Sequence, residues 1–311
     1  MTVVSVIIPT HNRSTLLKQA IESVLAAERD DVELEILVVD DGSTDDTPEM
    51  VKNYPVVYLR QSGGLGPAGA RNAGVAAAHG EYITFLDDDD VWLPAKLTTH
   101  LRLFGEHPEY DMALAQVWCC DSTLASRWGP FPDTKQTRLG ITELLRLDPQ
   151  VGAMMVRRSV AQQFPFDSSL RWMEDLDWFL NVAQGGPVGF SAVPVLLFRV
   201  RTRNTSELWL LYWSLVKVFR RQTRVLRFSA RLKLQPVLWT WQRWYAWQYV
   251  RRAARCALDR HFLQSARAMG YALLVSMPQM PVLLARPARK TLAPASAVPV
   301  PQPLAPQPCE K

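Results

Sequence analysis

The chain has 311 residues, 48% apolar and 21% charged, a globular composition long enough for one large domain or two. Its net charge of +5 conceals a division: up to Glu207 there are 18 Lys+Arg against 28 Asp+Glu, a net of −10, and from Leu208 onward 17 against 2, a net of +15. The acidic first two thirds repel a phosphate backbone and rank nucleic acid last among partners, and the cysteines at 119, 120, 256 and 309 have neither disulfide-framework nor zinc spacing, which suits a reducing, cytoplasmic setting.

Met1–Pro9 has no basic segment ahead of a long apolar run, so it reads as a strand rather than a signal peptide. Residues 3–8 suit a buried parallel strand, broken at Pro9-Thr10-His11-Asn12-Arg13. Ser14 is expected to cap a helix over Thr15–Ala27, whose Leu16, Leu17, Ala20, Ile21, Val24 and Leu25 follow helical spacing. A second strand, Glu35–Val39, ends in the acidic turn Asp40-Asp41-Gly42-Ser43-Thr44-Asp45. Strand, helix, strand with short joints is the unit of a parallel sheet, and ligands of such sheets bind beyond the carboxyl ends of the strands.

A third strand, Val56–Leu59, leads into Gly64-Leu65-Gly66-Pro67-Ala68-Gly69 and a helix that ends near His79-Gly80. The spacing G-x-G-x-x-G after a strand and before a helix raises a rival reading, a nucleotide-dependent oxidoreductase using Gly64, Gly66 and Gly69. Against it, the fingerprint usually opens the first strand-to-helix turn, and a dinucleotide needs one acid where this sequence goes on to supply four. The amides of this helix N-terminus, with Arg71 one turn in, are also suited to a phosphate.

Those four acids, Asp87-Asp88-Asp89-Asp90, follow the apolar strand Tyr82–Leu86. Adjacent like charges cost stability unless a cation or solvent neutralises them. Carboxylates are hard ligands for Mg²⁺ or Mn²⁺, ions that share their coordination with substrate phosphate. The run therefore reads as a divalent-metal and diphosphate site rather than a solvated turn. Further on, a helix is expected over Ala95–Gly105, strands over Asp111–Trp118 and Val151–Val156, and an irregular substrate loop over 121–140. Glu174, Asp175 and Asp177 open another helix, where acid can be no more than a response to the helix dipole.

Taken in order, Ser5–Arg13, Asp40–Asp45, Ala70-Arg71-Asn72-Ala73-Gly74, Gly80–Asp90 and Glu174-Asp175 resemble the family 2 glycosyltransferases, over about residues 3–206. The resemblance implies an α/β domain of GT-A type, a Rossmann-like mixed sheet flanked by helices. The implied reaction transfers a sugar from a nucleotide-diphosphate donor to an acceptor hydroxyl with inversion, assisted by Mn²⁺ or Mg²⁺. It implies donor contacts at Pro9, Thr10, Asn12, Arg13, Asp40, Asp41, Arg71, Asp87 and Asp88, metal ligation by Asp87 and Asp89, and a general base at Asp175 with Glu174 beside it. Asp177 leaves the choice of base open. Where many relatives carry Tyr-Arg-x-His, this chain has Phe198-Arg199-Val200-Arg201, so a cation stands in place of the histidine. An inactive relative kept as an adaptor is the non-enzyme alternative.

The domain is expected to span 1–206. A basic, Trp-rich helical region follows over 207–285, then a Pro-rich tail over 286–311 expected to be disordered. Leu208, Leu211, Leu215 and Val218 mark an apolar helix face, and a pair of helices is expected up to Leu274. Trp209, Trp213, Trp239, Trp241, Trp244 and Trp247 interleave with arginine and lysine, which suits either an anionic membrane surface at the inner face or a bundle with tryptophan in its core. No uninterrupted apolar run reaches the ~20 residues that span a bilayer.

Overall fold

The computed structural model describes residues 1–27, 29–201, 205–224, 228–258 and 262–276. Two compact units are formed, Met1–Arg201 and Thr202–Lys311. The first ends at Arg201, short of the expected boundary at 206, and the Pro-rich tail over 286–311 lies outside the described residues.

In the first unit β1 (Thr2–Thr10), α1 (Ser14–Leu25), β2 (Val32–Asp40), α2 (Thr47–Met50), β3 (Val57–Arg60), α3 (Gly66–Ala77) and β4 (Tyr82–Phe85) build a parallel sheet in which β1 lies between β2 and β4. β1 is buried on both faces. Val4, Val6 and Ile8 share one core with Leu17, Ile21 and Val24 of α1. Ile7 points the other way, onto α3, where a Cβ at Gly74 would stand 2.4 Å from Ile7 Cγ2. The continuous apolar run in the sequence is thus a strand covered twice.

β5 (Val91–Trp92), α4 (Lys96–Glu106), β6 (Met112–Cys120), β7 (Arg127–Phe131), β8 (Arg138–Leu139), α5 (Ile141–Leu147), β9 (Met154–Arg157), α6 (Arg158–Gln163), α7 (Glu174–Gly185) and β10 (Val188–Arg199) complete the unit. The sheet order is β3-β2-β1-β4-β9-β6-β10-β5, with β7 on β6 and β8 on β10. β9 runs antiparallel between β4 and β6, so the sheet is mixed, as expected.

Three local expectations are corrected. Ser14 is the first helical residue rather than the cap: Arg13 takes the cap position without a side-chain bond, and Ser14 N–H donates to Asp45 Oδ2 across 3.1 Å. The 121–140 segment is not wholly irregular, because β7 and β8 pair with neighbouring strands. Residues 151–153 form a 3₁₀ turn, and the strand begins only at Met154.

In the second unit, three helices stand where a pair was expected: α8 (Thr205–Arg224), α9 (Phe228–Leu258) and α10 (Phe262–Ser276). The sequence gives little warning, since residues 225–227 and 259–261 contain no Gly or Pro and Pro236 falls inside α9 without ending it. Leu208, Leu211, Leu215 and Val218 are buried, as their spacing predicts. Tyr212 meets Tyr245 at 5.6 Å between rings, and Tyr249 stacks on Tyr271 at 5.5 Å.

Candidate active site

The carboxyl ends of β1, β2 and β4 lie at one edge of the sheet, because Thr10 pairs with Asp40 and Ile7 with Phe85. The four-aspartate run leaves β4 at that edge, and each acid has its own hydrogen-bond or ion-pair partner. Asp88 accepts from Thr10 Oγ1 at 2.9 Å and from Arg13 Nη1 at 2.8 Å. Asp87 accepts from Arg71 Nη2 at 2.7 Å. Asp89 pairs with Arg201, and Asp90 accepts the backbone N–H of Arg199 at 2.9 Å. The buried Arg199 guanidinium also donates to the carbonyl of Asp89 and to Gln19 Oε1.

Carboxylate oxygens of Asp87, Asp89 and Asp90 lie within 4.8 Å of one another. Oxygen donors at that separation suit a hard divalent cation. Asp87 and Asp89 were the expected ligands; Asp90 joins them because the tight turn after β4, closed by Asp90 N–H to Asp87 O at 3.0 Å, folds the run back on itself. Burial, then the charges of Asp89 and Asp87, holds the Asp90 carboxyl well above the usual carboxylate range.

Arg71 links this cluster to the second acidic group. It is 3% exposed, and while Nη2 holds Asp87, Nη1 donates to Glu174 Oε1 at 2.8 Å. Its position is set by aromatic packing: the guanidinium sits 5.5 Å over the Phe166 ring, which stacks on Trp178 of α7 at 4.7 Å. Asn72 fastens the same segment, donating to Phe166 O at 2.9 Å and accepting from Phe166 N at 2.8 Å.

The neighbouring Asp175 keeps partial access to solvent, and its Oδ1 accepts Leu176 N–H at 2.8 Å. Burial and then the charge of Glu174 push its carboxyl up to about 7, against the opposing pull of Arg71. Asp177 differs: it is fully buried, and Asn181 donates to it. Met173, just ahead of Glu174, has φ +61, a left-handed conformation costly for a side chain of its kind.

The remaining expected donor contacts divide by what they touch. Pro9 is half-buried at the end of β1. Asn12 Oδ1 accepts Thr44 N–H at 2.7 Å, and its own N–H donates to Ser43 Oγ at 2.9 Å, so it ties the first loop to the second. Asp40, fully buried, accepts Ser43 N–H at 2.8 Å and the hydroxyl of Tyr58. Asp41 accepts Leu65 N–H and Gly66 N–H, each at 2.9 Å. The amides offered above to a phosphate are therefore capped by this carboxylate, a correction to that expectation. The glycine loop moreover follows β3, the edge strand, away from the crevice beside β1 and β4, which disfavours the oxidoreductase reading.

Asn72, Phe166, Trp178, Asp90 and Arg199 were not singled out from the sequence. Asp90 carried a signal, as a fourth consecutive acid, and Asn72 and Arg199 lay inside motif stretches without a role of their own; Phe166 and Trp178 are ordinary aromatic residues until the chain is folded.

The profile of Glycosyl transferase family 2 matches residues 5–164, just over half of the chain. The chain belongs to this family. Over 108 residues the transferase is 43% identical to the GalNAc(5)-diNAcBac-PP-undecaprenol beta-1,3-glucosyltransferase of Campylobacter jejuni, a match covering 33% of this chain and 34% of the relative. A glycosyltransferase of Methanocaldococcus jannaschii is 26% identical over 213 residues, covering 65% of this chain and 71% of that one. The matches to the first curated relatives thus span about a third of their length or less. Among solved structures, the mannosyltransferase PcManGT from Pyrobaculum calidifontis in complex with GDP-Man and Mn²⁺ is similar with a TM-score of 0.59 at 18% identity, covering 90% and 76% of the two chains. S. aureus TarS 1-349 in complex with UDP gives 0.55 at 19% identity, covering 89% and 90%. These likenesses establish the GT-A type fold.

Proposed function

We propose that this family 2 transferase moves a sugar from a nucleoside-diphosphate donor to an acceptor hydroxyl with inversion, assisted by Mn²⁺ or Mg²⁺, at the cytoplasmic face of a membrane. The observation that carries the reading is Arg71, whose two nitrogens join Asp87 of the acidic run to Glu174 beside Asp175. One buried side chain thereby fixes the donor-side acid relative to the acceptor-side acid. PcManGT is described with GDP-Man and Mn²⁺ and TarS with UDP, which supports this class of donor and cofactor.

Asp87 and Asp89, with Asp90 as a third oxygen donor, are the residues that would hold the ion. When bound it supplies positive charge where the departing diphosphate gathers negative charge. Asp175 is the general base: Oδ1 is engaged by a backbone amide, which leaves Oδ2 for the acceptor hydroxyl. A carboxyl poised near neutrality takes that proton more readily than one at its ordinary value, and Glu174 contributes by raising it. Arg201, whose side chain is 49% exposed, is free enough to turn from Asp89 toward a phosphate. Pro9, Arg13 and Asp41 are assigned to the donor nucleotide. Thr10, Asn12, Asp40 and Asp88 shape that pocket through the hydrogen bonds that join its loops.

The Campylobacter relative carries a PP-undecaprenol acceptor in its name, and a lipid-linked sugar is the acceptor class we assign here. The test is Asp175→Asn assayed with a panel of nucleotide sugars and Mn²⁺. Transfer should fall about 10²–10⁴-fold while donor binding, read by calorimetry, persists. Transfer that survives the substitution overturns the assignment of the base, and transfer indifferent to chelator overturns the role of the metal.

A further inference from the structure

None of the described helices is long and apolar enough to cross a membrane. The second unit nevertheless leaves large apolar side chains in solvent, in a regular pattern. On α9, Trp239, Arg243 and Trp247 are all exposed, the tryptophans at 54% and 56%, and they succeed one another every four residues. That spacing places them along one stripe of the helix. Trp241 and Tyr245, on the other side, are buried at 6% and 2%. The core has therefore taken its aromatics and left this row out.

α8 repeats the device. Leu210, Trp213, Lys217 and Arg220 are exposed at intervals of three, four and three residues, so apolar groups lead and cations follow on one face. On α10, Leu273 and Leu274 are exposed at 63% and 48%. Such residues normally go inside, and their exposure on each of the three described helices points to a partner.

The chemistry of the stripes identifies that partner. Arginine placed between tryptophans suits a layer that is wet and negatively charged on one side and apolar on the other. From Leu208 onward there are 17 Lys+Arg and 2 Asp+Glu, so a homotypic contact through these surfaces would bring like charges together. Nucleic acid would use the cations and stack on tryptophan, but it has no use for exposed leucines. An anionic bilayer accepts all three kinds of group.

We infer that the exposed stripe Trp239-Arg243-Trp247 of α9, seconded by the α8 stripe, seats the second unit in the interface of an anionic lipid bilayer, lying in its plane. The proposal stands apart from the catalytic reading, since lipid binding needs neither donor nor metal.

The test uses the full chain and vesicles of phosphatidylcholine with or without about 30% phosphatidylglycerol. Co-sedimentation at low salt is expected with the anionic vesicles and not with the neutral ones, accompanied by a blue shift of tryptophan emission. Trp239→Ser together with Trp247→Ser should weaken binding roughly ten-fold or more. Arg243→Gln should weaken it about five-fold, on anionic vesicles alone. All three positions are exposed, so circular dichroism and donor binding should match the parent; these controls separate a docking defect from a catalytic one. Failure to bind anionic vesicles at low salt overturns the proposal, as does full binding by the folded double-tryptophan variant. Self-association through the same residues in ultracentrifugation without lipid also overturns it, and so does their capture of a single-stranded oligonucleotide while vesicles are ignored.

Discussion

Replacing Arg71 by methionine removes the one charge that Asp87 and Glu174 share while keeping the bulk that fills the space over Phe166. Two charge-assisted hydrogen bonds, at 2.7 and 2.8 Å, go with it. Taking one partner from a buried pair costs about 3–5 kcal/mol, because the other charge stays behind uncompensated. Two features pull the figure toward the lower end. The Asp87 side chain is 33% exposed and is screened by solvent, and the Glu174 side chain, 10% exposed, keeps some contact with solvent as well. The expected loss is thus about 3 kcal/mol, which for a unit of this size lowers the melting temperature by roughly 6–12 °C. Calorimetric melting of the full chain reads it. Arg71→Lys should fall between the parent and Arg71→Met, since an ammonium cannot present the planar fork that reaches both carboxylates. Glu174→Gln added to Arg71→Met should recover part of the loss, with a coupling of about 1 kcal/mol or more. A stability change within ~0.5 kcal/mol for Arg71→Met, or strict additivity in the double variant, would refute the reasoning.

The Asp175 carboxyl holds its proton up to about 7, so transfer should rise with pH through neutrality; a profile already flat at pH 5 would rule the residue out as base. The same shift has a sign for stability. The unfolded carboxyl releases its proton near 3.8, so between that value and about 7 the native state binds more protons, and stability falls as pH rises. Asp175→Asn should accordingly melt higher than the parent at pH 8 and match it near pH 4. His100 acts in the opposite direction. It is fully buried, with Nδ1 2.8 Å from Lys96 O and Nε2 3.1 Å from Ala153 O, and burial followed by the charge of Lys96 pushes it down to about 3. An unfolded histidine protonates near 6.5, so stability should drop by up to ~1.4 kcal/mol per pH unit as pH falls below that value, a slope that His100→Leu removes. Urea titrations of both proteins at pH 7 and pH 5 compare them. Finally, Arg201 occupies Asp89 as a cation, so Arg201→Ala should tighten Mn²⁺ binding by the donor-free protein several-fold in electron paramagnetic titration; unchanged affinity would mean that the two do not compete.

The elements that could be read from sequence are those whose burial leaves a periodic trace. β1 is apolar without interruption because it is covered on both faces, and α1 repeats its apolar residues because one face is covered. The four aspartates could be read because nothing in folding asks for them. What could not be read depends on partners remote in sequence. Arg71 and Glu174 stand 103 residues apart, and Asp88 and Thr10 stand 78 apart. No local pattern encodes either pairing. β7 and β8 escaped because they are short strands held by the neighbours they pair with, β7 carrying Pro130 at a position that reads as loop. The capping contacts of Asp41 left no trace either, because an acid at a strand end reads in sequence simply as an open ligand. In the folded chain it faces two amides freed by the left-handed turns at Gly63 and Gly64.

The acidic run is balanced by the fold itself. Four adjacent carboxylates would repel one another, yet three are met by Arg71, Arg13 and Arg201 in turn, and the fourth by the Arg199 amide. These arginines come from α3, from the loop after β1 and from the segment just beyond β10. Folding therefore brings the counter-charges in from separate parts of the chain. Their exposure differs in a way that matters for chemistry. Arg71 is locked behind the run, with its side chain 4% exposed, whereas Arg13 and Arg201 stand at 36% and 49%. A fixed cation maintains the framework, while the two exposed ones have room to swing away from Asp88 and Asp89, as the proposed entry of a divalent ion would require.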